Sequence, residues 1–211
     1  SLRVCGEIDI LGENICCSEQ QRECACLCAL FHDIGRFEQY RRYGTFADFR
    51  SENHALLGVR VLEETGILNG MDSDMQQCIV SVIGVHNAER IGEGLDRRER
   101  LFARMLRDAD KLDIWRVIAG YYQAPDPVQK PMIELGLPLS DRVSPGVAGD
   151  IHDRRIVRAG HVASVTDLKL LQMAWVFDLN FSYSHCAVLS RGYLDTIADS
   201  LPPTADIEAL A

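Results

Sequence analysis

The chain has 211 residues, 47% hydrophobic and 25% charged, enough to bury a substantial core as one globular domain. Its formal net charge of −9 argues against general binding to nucleic acid or to an anionic membrane, since both need a positive field. A membrane span needs roughly 20 apolar residues, and the longest apolar run, 78–85, falls far short.

No basic segment leads into an apolar one at the start, so a cytoplasmic setting is the expectation. The eight Cys agree with it. Cys17, Cys24 and Cys28 share one helix face, Cys26 points elsewhere, and no paired Cys-x-x-Cys pattern marks a zinc site. They are expected to be small, reduced core residues, because a chain of this length does not need disulfide staples.

Helical periodicity dominates, and the expected class is all-α. Val4, Ile8, Leu11 and Ile15 form the first stripe. Ser18 caps a second helix over 19–33, which Gly35 ends. The stretch 37–48 is rich in Arg and aromatics without a period and reads as a loop. Ser51 caps the next helix, with His54 in its first turn and Gly66 past its end. Asp72 or Ser73 starts another, whose inner stripe is Met75, Ile79, Val82 and His86. A long helix over 96–122 carries Ala103, Leu106, Asp110, Ile114 and Val117. Five prolines between 123 and 160 imply short helices and turns. Two long helices follow, 166–181 and 184–200. The first places Leu168, Leu171, Trp175 and Asp178 on one face.

The chemistry is carried by polar residues standing where apolar ones belong. Leu27-Cys28-Ala29-Leu30-Phe31 runs into His32-Asp33 at the end of an apolar helix. His86 and Asp110 each interrupt an apolar stripe. A buried ionised group without a partner is heavily penalised, and one hydrogen bond explains one such residue, not several on successive helices. A metal ion is the partner that accounts for all of them. A second doublet, His152-Asp153, follows no apolar helix and reads as a solvated turn. His161 and His185 read as structural or surface residues.

This ordered set resembles the HD superfamily of metal-dependent phosphohydrolases. The family pattern is an early His, a His-Asp doublet and a distal Asp, and a binuclear subset adds two His between them. Phe31-His32-Asp33-Ile34-Gly35-Arg36 matches the doublet. Asn53-His54-Ala55 and Val85-His86-Asn87 match the added His. Arg107-Asp108-Ala109-Asp110-Lys111-Leu112 matches the distal segment. The likeness covers 1–122, with 123–211 as a C-terminal helical extension of the same domain. The family's first His, often followed by Ser-Leu-Arg-Val, would fall directly before Ser1.

The resemblance implies an HD-domain helical bundle and two divalent metal ions, from among Mn, Fe, Co, Ni, Zn and Mg. His32, Asp33 and Asp110 would hold one ion and His54 and His86 the other, with Asp33 bridging. It implies hydrolysis of a nucleotide or other small phosphoester by a metal-activated hydroxide. Arg36 is a candidate for a bidentate contact to a substrate phosphate, and Lys111 for phosphate contact or proton donation. Arg41, Arg42 and Tyr43 are candidates for the pocket mouth, and Asn87 for a substrate contact. Some relatives use the same ligand set as di-iron oxygenases, and a degenerate site would make a non-catalytic metal or nucleotide sensor. Both stand as alternatives.

Overall fold

The structure is a computed structural model that describes residues 1–210, apart from the side chain at position 49. It is all-α, with no strand among the described residues. No helix among them is long and apolar enough to cross a membrane. The chain packs as two compact units, Ser1–Asp110 and Lys111–Ala211.

The first unit begins with α1 (Leu2–Asn14), whose Val4, Ile8 and Leu11 are fully buried. Burial of such side chains contributes about 1.5–3 kcal/mol each. α2 (Glu19–Phe31) packs against α1 and starts in a capping box, Ser18 with Gln21. α3 (Ile34–Tyr43) packs on α4 (His54–Thr65), and α4 on α5 (Ser73–Val85). α2 also packs on α5. α6 (Arg97–Gln123) starts with a reciprocal Asp96–Glu99 cap and buries Phe102, Ala103, Met105, Leu106 and Ala109.

Several expectations need correction. Gly35 does not end α2. The helix stops at His32, and Gly35 lies in the first turn of α3, so much of the stretch expected as a loop is helical as far as Tyr43. The helix stop is Gly44, in the left-handed conformation at φ 63°. Asn53, not Ser51, caps α4, accepting the amides of Ala55 and Leu56. Ser51 instead hydrogen-bonds Ala47 O and the Gln39 amide. Val117 lies on the exposed side of α6, while Trp115 and Ile118 are buried.

In the second unit the Pro-rich stretch forms α7 (Lys130–Ile133) and α8 (Pro145–His152), separated by turns as expected. The two long helices beyond it are broken. α9 (Val165–Ala174) runs into a 3-10 turn at Trp175–Asp178. α10 (Ser182–Ser190) and α11 (Tyr193–Asp199) are separated at Gly192, φ 64°, and α12 (Ala205–Glu208) follows the two prolines. Trp115 donates its indole N–H to Gln172 O at 2.9 Å within a core of Leu112, Ile118, Val188 and Ile197. All eight Cys are free; Cys24, Cys28 and Cys78 are buried, whereas Cys16 and Cys186 are exposed.

Gly35 is where the α3–α4 packing is tightest. A Cβ there would sit 2.2 Å from His54 O and 2.5 Å from the Gly58 amide nitrogen. Both are backbone atoms that cannot yield. Gly35→Ala is therefore expected to cost at least about 2 kcal/mol in urea unfolding. Gly120→Ala, in α6 with nothing within 4 Å of the added carbon, should instead gain about 0.5–1 kcal/mol. Equal effects of the two substitutions would refute the close-approach role of Gly35.

Candidate functional site

The first unit collects five polar side chains, four of them at helix ends. His32 is the residue after α2, Asp33 precedes α3, His54 opens α4 and His86 follows α5. Asp110 comes from α6. His32, His54 and His86 are buried. The close approach at Gly35 sets the start of α3 against the start of α4, which brings Asp33 to His54. His86 is fixed by Arg107, a buried guanidinium that donates to the carbonyls of His86, Ala88 and Glu89.

The donor atoms converge. His32 Nε2 lies 3.3 Å from Asp33 Oδ2 and 3.4 Å from Asp110 Oδ1. His54 Nε2 lies 3.5 Å from Asp33 Oδ1 and 3.0 Å from His86 Nε2. The two oxygens of Asp33 thus face different histidines. Asp33, His54 and His86 offer ligand atoms all within 4.8 Å of one another.

Each imidazole turns its other nitrogen to an acceptor. His32 Nδ1 lies 2.7 Å from Ala29 O, and His86 Nδ1 2.8 Å from Ile83 O. His54 Nδ1 lies 2.8 Å and 2.9 Å from the two oxygens of Asp48. In the neutral ring such partners place the hydrogen on Nδ1 and leave Nε2 a lone pair, the arrangement seen in metal-ligating histidines. Two Nε2 lone pairs 3.0 Å apart repel unless a cation or shared proton lies between them. Donor spacings of 3.0–3.5 Å suit ligands around a cation with bonds of about 2.0–2.2 Å. The residues therefore fit a divalent metal site.

The other predicted residues fall in different places. Arg36 adjoins the cluster: Nε lies 3.4 Å from Asp33, and Nη1 lies 3.1 Å from Asp48 and 3.1 Å from Gln39 and also donates to Phe46 O. Asn87 donates to Asp48 at 3.0 Å and to Asn53 at 3.1 Å. Arg41 and Arg42 pair with Glu38, and Tyr43 donates to Glu52, on the exposed side of α3. Lys111 belongs to the second unit, its ammonium 2.7 Å from Asp178. His152 is exposed at the end of α8, and His161 lies 2.7 Å from Asp150. Asp48 and Arg107 are the two residues of this array whose roles the sequence did not reveal. An acidic residue in an aperiodic stretch and an Arg on a charged helix carry no distinguishing signal.

The HD domain family model matches residues 1–115, more than half of the chain, and the chain belongs to that family. The family places it in the superfamily of metal-dependent phosphohydrolases, and the all-α fold and the His/Asp cluster agree with that placement. No curated protein and no solved structure matches the chain.

The same cluster sets the pH response of the metal-free protein. Burial disfavours charge on His32, but the Asp110 and Asp33 carboxylates outweigh it and hold the imidazolium up to about 10. Unfolded His titrates near 6.5, so this stabilisation is complete below that value and is lost as pH rises toward 10. His86 has the opposite sign. Burial pushes it down to about 4, so its contribution is present above roughly 6.5 and is lost as pH falls toward 4. Burial would raise Asp33, but His32, Arg36 and His54 outweigh that and hold its carboxyl well below the usual range, which adds loss in acid. Chelator-treated protein should therefore melt at its highest temperature near pH 6.5. His32→Asn should flatten the decline between pH 7 and 10. An unchanged alkaline slope in that variant would contradict the assignment.

Proposed function

We propose that the protein is a metal-dependent phosphohydrolase that cleaves a small phosphoester such as a nucleotide. His32, Asp33 and Asp110 would hold one divalent ion and Asp33, His54 and His86 a second. The observation that carries this reading is Asp33, whose Oδ2 faces His32 and whose Oδ1 faces His54, the disposition of a bridging carboxylate. Ions held there would polarise a phosphoryl oxygen and bring the pKa of a bound water near neutrality.

The chain's own groups do the positioning. The three Nδ1 contacts keep the Nε2 atoms aimed inward without reorganisation. Arg36 is held by Asp48, Gln39 and Phe46 O, and its Nη2, with no partner among the described residues, is the donor we assign to a phosphate oxygen. Asn87 donates its amide hydrogens to Asp48 and Asn53, so no substrate contact is assigned to it. No step is assigned to Lys111, Arg41 or Tyr43, whose polar ends are engaged by Asp178, Glu38 and Glu52.

Purified protein should hydrolyse p-nitrophenyl phosphoesters or members of a nucleotide panel with Mn²⁺ or Co²⁺, and lose the activity to chelator. Asp33→Asn and His86→Ala should each lower kcat by more than about 100-fold, beyond the 10–100-fold scale of an outer partner of a metal ligand. Turnover should be measured against metal content by elemental analysis. Absence of turnover with every metal would overturn the proposal. As-isolated iron with a mixed-valent paramagnetic signal would replace it with oxygen chemistry.

A further inference from the structure

Asp48 opens a 3-10 turn between α3 and α4. An aspartate at such a position commonly bonds the backbone of its own turn. Here the partners of the carboxylate among the described residues all come from elsewhere. It receives Gln39 Nε2 at 2.8 Å and Arg36 Nη1 at 3.1 Å from α3, and Asn87 Nδ2 at 3.0 Å from beyond α5. Both of its oxygens face His54 Nδ1, at 2.8 Å and 2.9 Å. Burial would raise its pKa, but His54, Gln39 and Arg36 outweigh that and bring it to about 2, so it is an anion at neutral pH.

We infer that Asp48 is a positioning residue, which holds His54 as the Nδ1–H tautomer with its Nε2 lone pair directed at Asp33 and His86. The opposite tautomer would set an imidazole lone pair against two carboxylate oxygens within 2.9 Å. The carboxylate is itself oriented from three sides, by Arg36, Gln39 and Asn87. Gln39 is fully buried, and its Nε2 also reaches Ser51 Oγ and Glu52 O, both at 2.9 Å, so the loop that carries Asp48 is fastened to α3. His54 and Arg36 thereby share one anchor. The consequence for metal affinity rests on the phosphohydrolase reading above; the tautomer does not.

Long-range ¹H–¹⁵N spectra of metal-free protein would read the tautomer directly. Wild type should show His54 with a protonated Nδ1. Asp48→Leu removes the acceptor and should move His54 toward Nε2–H, with Mn²⁺ affinity by calorimetry reduced roughly 10–100-fold. Asp48→Asn keeps an acceptor oxygen and the side-chain size, so it should retain the wild-type tautomer and recover most of the affinity. Urea unfolding of the metal-free variants separates this role from a structural one. A variant that loses Mn²⁺ affinity with its unfolding midpoint kept supports the inference. An Nε2–H tautomer in wild type would overturn it, whether or not Asp48→Leu folds. So would an unchanged tautomer in a folded Asp48→Leu. The expected tautomer in a wild type that binds no Mn²⁺ supports the inference while overturning the metal reading.

Discussion

Lone pairs and negative charges that converge in a buried place need positive charge among them, and the first unit is arranged around that requirement. Three imidazoles and two carboxylates meet where His32 is only 1% exposed and His54 and His86 only 4% and 6%. The imidazoles are shielded from water, whereas Asp33 and Asp110 remain partly exposed. In the metal-free chain His32 meets part of the need by remaining an imidazolium between Asp33 and Asp110. His86 has no such recourse. Burial keeps His86 neutral, and its neighbour's Nε2 sits 3.0 Å away. The pocket is thus half compensated by a proton and half uncompensated, which is the electrostatic profile of a site built for a larger cation.

The helical frame serves that geometry at its ends. A side chain at a helix terminus can have its backbone tied by the helix and its ring projected past it. His32 and His86 use this identically: each follows the last helical residue and turns Nδ1 back to the carbonyl three positions earlier. At Ala29 this contact gives one of the last carbonyls of α2 a partner, and Ile83 O, which also accepts the His86 amide at 3.3 Å, takes the ring as a second one. His54 opens its helix, so it has no such carbonyl behind it, and a carboxylate from a separate loop does the work instead. This difference explains why Asp48 exists at a fixed place while no counterpart accompanies His32 or His86.

Four of the five cluster residues were legible because they violate a pattern, and His54 only through the family resemblance. His86 and Asp110 interrupt apolar stripes, and the His32-Asp33 doublet ends one. Their convergence follows from the order of helices. What was not legible depends on tertiary neighbours. Gly35 looks like a helix stop from sequence, because a glycine after a helical run commonly is one. Its actual constraint is the backbone of α4, 2.2 Å from where its Cβ would be, and nothing local encodes that. Asn53 outcompetes Ser51 as a cap because Gln39 claims Ser51. The break at Gly192 was hidden within an otherwise helical composition. Asp48 lies in a stretch without period, where an acidic residue is unremarked. Arg107 was seen only as a neighbour of Asp110 within a matched segment.

Arg36 shows how far one tertiary contact redirects a sequence-level role. A free guanidinium at this position would offer a fork of parallel donors to a phosphate. Here Nη1 is shared among Asp48, Gln39 and Phe46 O, and Nε points to Asp33. Only Nη2 remains for a ligand, so a bidentate grip would require breaking the tie to one of the two carboxylates. The same ties immobilise the side chain, which removes the entropy that a long surface Arg would lose on binding. Arg36 is therefore a rigid single donor rather than a flexible clamp. On the proposed reading, the burden of holding a phosphoryl group would fall on metal bound by the His/Asp cluster, and the basic residues along α3 would contribute little, since Arg41 pairs with Glu38 and Arg42 with Glu38 and Glu52. On the proposed reading, that division accords with the chain's net charge of −9: an acidic protein could take an anionic substrate only where positive charge is concentrated, and the place for it would be the pocket at Asp33.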